Sequence, residues 1–159
     1  MMNWIKFFSA FLLALAIVLV TIIFTNAQKP FSAALQNAEK SVQQSGELLS
    51  IEHAEIYNGT ISMVTVFGKD EKGIEKAVFV DEKSGKILDS VKLEDGIDSK
   101  QAIQTVKSEL KVDKILHVTL GVEGEYPVWE VAFKSENGKL NYVYVFFENG
   151  EWWKRILNL

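Results

Sequence analysis

The sequence predicts an α+β protein: an N-terminal transmembrane helix followed by two tandem units, each a helix plus a three-stranded antiparallel sheet. Three observations carry that expectation. An uncharged N-terminal run is long enough to cross a bilayer, helical and then alternating periodicity begins after Pro30, and the whole pattern recurs about 65 residues later. The expected divisions are a membrane anchor over 1–29, a first unit over 30–93 and a second over 94–159.

The anchor is justified first. From Phe7 to Gln28 no charged residue occurs, and Phe11 to Val20 is unbroken Phe, Leu, Ala, Ile and Val. At 1.5 Å per residue this makes about 33 Å of helix against a hydrocarbon core of roughly 30 Å. Phe7, Phe11, Leu15, Val18 and Phe24 lie along the span, whose partner is the lipid bilayer. Lys6 precedes it, Trp4 stands where an interfacial aromatic belongs, and Lys29 follows. An N-terminus this short stays cytoplasmic, which places the C-terminal body outside a cell membrane crossed once. A cleaved secretory signal is the rival reading, because Thr25-Asn26-Ala27 passes for a small-residue cleavage site. Its apolar region of about 18 residues would exceed the usual 7–15. A buried soluble helix would need a polar face, and none is present.

After Pro30, Ala34, Leu35, Ala38 and Val42 fall on one helical face, with Gln36, Glu39, Lys40 and Gln43 between them and Gly46 at the end. Strands are expected at about Leu48–Tyr57, Ile61–Phe67 and Ile74–Val80. Asn58-Gly59 and the stretch from Lys69 to Gly73 supply the turns, and Ser84-Gly85 turns the chain into Lys86-Ile87-Leu88.

The same order returns after Gly96. Asp98 or Ser99 caps a helix with Ala102, Ile103, Val106 and Leu110 on its apolar face, and strands follow at about Ile115–Gly121, Val128–Phe133 and Leu140–Phe147. Shifted by about 65, Val66-Phe67 falls on Ala132-Phe133, Gly73 on Gly138, the run from Ala77 to Val80 on that from Tyr142 to Val145, and Gly85 on Gly150. Units of about 60 residues bury only about 60% of their unfolded surface, so they are expected to pack on each other. The last strand agrees: Tyr142, Tyr144 and Phe146 point one way and Val143, Val145 and Phe147 the other, leaving both faces apolar.

Composition narrows the chemistry. All 21 acidic residues follow residue 38 and 16 of the 17 basic ones follow residue 28, so the body is net acidic without a basic cluster, which argues against nucleic acid. There is no cysteine, hence no disulfide, thiolate metal site or cysteine nucleophile. The two histidines, His53 and His117, occupy corresponding first strands and neither has a helical zinc spacing; inherited placement explains them better than a shared metal site. Asp81, Glu130 and Glu148 are read as carboxylates of solvated strand edges and turns, and Asn58-Gly59-Thr60 as a turn despite its formal glycosylation pattern. No phosphate cradle, G-x-S-x-G elbow or S-x-x-K motif occurs, so neither an enzyme nor a cofactor is expected. Trp152 and Trp153 must face opposite ways in an extended segment. One of them, with Tyr126 or Tyr57, would offer a stacking surface, or both are taken up by core and the neighbouring unit.

These features resemble a known family. The single span, the repeated helix-and-strands unit, the run from Ala77 to Asp81 ending in Ser84-Gly85-Lys86-Ile87-Leu88, and Val128-Trp129-Glu130-Val131-Ala132-Phe133 before the run from Tyr142 to Val145 resemble PepSY-type (cystatin-like) domains. The whole layout is similar to the TseB-like (YpmB) cell wall elongation regulators of Gram-positive bacteria. The second copy departs from the pattern, with Phe146 in place of Asp81 and Glu151-Trp152-Trp153 in place of Lys86-Ile87-Leu88. The resemblance implies a membrane-anchored, non-enzymatic factor that binds a class B penicillin-binding protein and affects sidewall elongation. The divergent end, Trp152 and Trp153 with Tyr142 and Tyr144, is the expected contact surface. A PepSY-type modulator of an extracytoplasmic protease and a peptidoglycan-binding module remain the alternatives, with a hydrolase built from scattered carboxylates behind them.

Overall fold

A computed structural model describes the backbone of residues 2–159 and the side chains of 3–24 and 31–159; the side chains of the candidate cleavage site Thr25-Asn26-Ala27 lie outside the described residues. Helix α1 (Met2–Ser45) opens the chain. The chain divides into two compact units, one ending at Ala33 and the other running from Ala34 to Leu159. In the first, Asn3–Phe24 is long and apolar enough to cross a membrane, with a mean hydropathy of 2.9. Phe7, Phe11, Leu15, Val18 and Phe24 are all exposed on it.

The second unit carries two four-stranded antiparallel sheets, each a simple meander. The first is β1 (Ser50–Asn58), β2 (Ser62–Lys69), β3 (Glu75–Asp81) and β4 (Ile87–Lys92), in that order. A 3-10 turn (Leu93–Asp95) and helix α2 (Ser99–Glu109) lead to β5 (Val112–Glu123), β6 (Tyr126–Ser135), β7 (Leu140–Phe146) and β8 (Trp152–Ile156). Each sheet therefore has four strands where the periodicity predicts three. The added strands, β4 and β8, are edges, half-exposed and studded with Asp89 and Lys92 or Lys154 and Arg155. Charges protect an edge from unwanted pairing but erase the alternation that marks a half-buried strand.

Alternation sets the packing. Val64, Val66, Val78 and Val80 point from β2 and β3 to Ala34, Ala38 and Val42 of α1, forming one buried cluster with Leu48. The opposite face, with Tyr57, Met63, Phe67, Ala77 and Phe79, joins the core of the second sheet around Val131, Phe133, Val143 and Val145, against Ala102 and Val106 of α2. The two sheets thus share a core. Helix α2 starts where expected: Asp98 Oδ1 accepts from Gln101 N at 2.7 Å and Gln101 Oε1 accepts from Asp98 N at 2.9 Å, a reciprocal capping box.

The repeat extends to backbone irregularities. Register slips between Ile51 and His53 in β1 and between Ile115 and His117 in β5, and again between Phe79 and Val80 and between Tyr144 and Val145. Strand β5 runs past its expected end because Glu123 still pairs with Tyr126 across a Gly124-Glu125 turn. Pro127 is tolerated in β6 since it lies beyond the last β6–β7 pair, Val128 with Phe146.

Candidate functional site

The four aromatics of the divergent end separate across the second sheet. Trp152 is half-buried on the α2 side, where its Nε1 donates to Glu109 Oε1 at 2.5 Å. The Arg155 guanidinium lies 3.6 Å from the Trp152 ring centroid and bonds the other Glu109 oxygen at 2.6 Å. Trp153 stands edge-on to Tyr144 at 5.9 Å, with Lys154 Nζ 5.8 Å from both ring centroids. Tyr144 is buried and Tyr142 half-buried, 6.2 Å from the His117 ring. The fold itself therefore occupies much of this aromatic surface.

Alternation in β6 points Val128, Glu130 and Ala132 away from α2, and this face carries the polar chemistry. Glu130 is buried, not a solvated edge carboxylate as the sequence suggests, because β6 is a central strand. It is 2.8 Å from His117 Nε2, and this hydrogen bond, aided by the charges of Glu130 and Glu55, holds the imidazole above its ordinary pKa against the opposing effect of burial. Burial, then the Glu130 carboxylate beside it, pushes the Tyr144 phenol up. His53 stacks flat on Phe67, with centroids 4.4 Å apart and planes at 7°. Both histidines come near enough to Glu55 to draw its pKa down, though burial prevails and raises it. The two histidines follow equivalent bulges and each lies beside its own carboxylate, His53 3.7 Å from Glu55 and His117 2.8 Å from Glu130, and among the described residues no group of three or more such side chains is placed to hold a metal.

A second buried carboxylate joins the sheets. Glu123 accepts from the Tyr57 hydroxyl at 2.9 Å, from Thr60 N at 2.8 Å and from Thr60 Oγ1 at 2.6 Å. Burial alone would raise its pKa, but the hydrogen bonds from Thr60 and Tyr57 hold it below the usual value. Burial and Glu123 together push the Tyr57 phenol far up. The Asn58-Gly59-Thr60 segment is the β1–β2 turn, as expected, and its threonine is part of this latch. Thr65 Oγ1 adds a bond to the Leu120 carbonyl at 2.6 Å, and Gly121 leaves room for the Tyr57 ring, which a Cβ there would overlap. Asp81 and Glu148 do sit at turns: Ser84 donates to Asp81 from its hydroxyl and its backbone N–H and lowers its pKa, while Glu148 is exposed.

Two concavities flank the shared core. One, of about 290 Å³, lies between His53, Phe67, Ile103, Val118 and Trp129. The larger, about 520 Å³, lies between Ser90–Lys92 of β4 and Tyr126, Pro127 and Phe146 of the second sheet. In the sequence Tyr126 stands out only as a candidate stacking ring, and nothing local marks the groove. The one available signal is the replacement of Asp81 by Phe146 in the second copy.

The chain combines an apolar leading helix with a two-sheet α+β body whose buried polar side chains are bonded to one another. Residues 37–81, from α1 through β3, match the family described as Cell wall elongation regulator TseB-like domain. A solved structure described as YpmB protein from Bacillus subtilis is similar, with a TM-score of 0.68 and 29% sequence identity, covering 77% of this chain and 95% of that one. No curated protein matches the sequence. The segment match and the structural likeness together support assignment of the chain to the TseB/YpmB family, and with it a regulatory role in cell wall elongation.

Proposed function

We propose that the chain is a single-pass, extracytoplasmic, non-enzymatic regulator of cell wall elongation that acts by binding a membrane-bound penicillin-binding protein. The observation that carries this reading is the TseB-like match at 37–81 within a body similar to YpmB over 95% of that protein. The apolar segment Asn3–Phe24 supports the anchored topology, with the body over 30–93 and 94–159 as tandem PepSY-like units. Sharing a membrane raises the effective concentration of two tethered partners, so a modest contact through a sheet edge or face is sufficient. The aromatic end, Trp152 and Trp153 with Tyr142 and Tyr144, is one candidate contact within this proposal.

In-cell crosslinking of the tagged full-length protein, followed by mass spectrometry, tests the reading. Enrichment of a penicillin-binding protein is the expected result. Consistent capture of a membrane protease, or of wall fragments alone, would replace it with a protease modulator or a glycan-binding module.

A further inference from the structure

Strand β4 is an edge of the first sheet: β3 pairs with one flank, and no described strand pairs with the other. An open flank presents unpaired backbone N–H and C=O groups, which invite an added strand. The 520 Å³ groove runs along this flank, since Val91 from one face of β4 and Ser90 and Lys92 from the other all line it. Its far wall is apolar. Tyr126, 56% exposed, stands edge-on to Phe146 at 5.5 Å and 78°.

Charge defines the occupant. The two lysines at the groove are already engaged, Lys76 by Glu47 at 3.2 Å and Lys92 by Glu94 at 3.9 Å. Asp95 and Glu148 also line it, both exposed and neither in an ion pair among the described residues, so the uncompensated charge is negative. Resting on the binding role above, we propose that the open flank of β4 docks an extended, basic segment of a partner protein. That segment adds a fifth strand to the first sheet, sets an apolar side chain against Tyr126 and Phe146, and brings lysine or arginine to Asp95 and Glu148.

The test uses isotope-labelled full-length protein in zwitterionic nanodiscs, titrated with an acetylated hexapeptide of alternating valine and lysine, and separately with its valine–glutamate counterpart. The lysine peptide is expected to shift the amides of 90–92, 126 and 146–148, and Tyr126→Ala or Glu148→Lys to weaken binding about tenfold, the size of a lost interface anchor. Shifts at β8 or α2, no shifts, or equal binding of the glutamate peptide would overturn the proposal. Crosslinking separates it from the functional reading: a penicillin-binding protein still captured in full by Tyr126→Ala and Glu148→Lys would refute this groove and leave the binding role standing. Peptide binding at the groove with no such protein captured would support the groove and remove the named partner.

Discussion

Glu123→Ala is the sharpest probe of how the two sheets are held together. It strips the acceptor from three donors at once, Tyr57 Oη, Thr60 N and Thr60 Oγ1. The Tyr57 bond is buried and made to a carboxylate, so its loss costs about 1.5–3 kcal/mol. The Thr60 donors sit in a part-buried turn where water replaces the carboxylate, so they add about 0.5 kcal/mol each. The sum is roughly 2.5–4 kcal/mol, and at about 4 °C per kcal/mol for a body of this size the melting temperature falls by about 10–15 °C. Tyr57→Phe leaves Glu123 both Thr60 donors and costs only about 1–1.5 kcal/mol.

Thermal unfolding of the full-length protein in detergent, followed by near-ultraviolet circular dichroism, reads both effects. Combined in a double-mutant cycle, the pair should show a coupling of about 1 kcal/mol or more. The acid limb carries a second signature. The folded-state pKa of Glu123 lies below its unfolded value, so its contribution is complete above the unfolded pKa and is lost as pH falls through the folded one. Glu123→Ala should therefore flatten the acid limb. A variant within about 0.5 kcal/mol of the parent, the range of an ordinary surface change, or strict additivity with Tyr57→Phe, would refute the latch.

Two further outcomes follow from the same interface. Gly121→Ala places a Cβ into the Tyr57 ring, which is fully buried and hydrogen-bonded, so it should destabilise by about 1–3 kcal/mol in the same unfolding assay; a neutral result would mean that the ring moves freely. His117, observed by NMR titration, should deprotonate above the free-histidine value of about 6.5 and return toward it in Glu130→Gln. Because its folded pKa is the raised one, the stabilisation from the pair is complete below the unfolded value and declines as pH climbs through the folded value. A histidine titrating at or below the free value contradicts the pairing.

Much of this was legible in the residues because periodicity reports burial directly. The apolar helix, an N-cap at Asp98 or Ser99, the first three strands of each sheet and the repeat all follow from local spacing. What was missed depends on contacts far apart in the chain. Nothing local distinguishes Glu130 from a solvated strand carboxylate; its burial follows from β6 having neighbours on both sides. Glu123 is engaged by Tyr57 and Thr60, over 60 positions away, and no local pattern announces that pairing. The closing strands β4 and β8 escaped for the opposite reason, since residues such as Asp89 and Lys154 face solvent and break the alternation.

Phe146, where the second copy departs from the first, supplies one wall of the groove. In both copies the hairpin after the third strand closes with the same backbone bonds: Gly85 N to Asp81 O and Asp81 N to Lys86 O, then Gly150 N to Phe146 O and Phe146 N to Glu151 O. Gly85 and Gly150 share a positive φ, 68° and 74°, which an L side chain would resist. In both copies the residue before this glycine caps the N–H two residues on, Lys86 N to Ser84 Oγ at 3.3 Å and Glu151 N to Asn149 Oδ1 at 2.9 Å, and only the first copy adds the bonds from Ser84 to the Asp81 carboxylate. The backbone bonds and this shared cap hold the second turn without a carboxylate at its first residue. Phe146 is then free to turn an apolar ring to Tyr126, where it forms the wall facing β4. The groove thus joins an edge strand from one copy to a position released from turn duty in the other, and neither copy alone would make it.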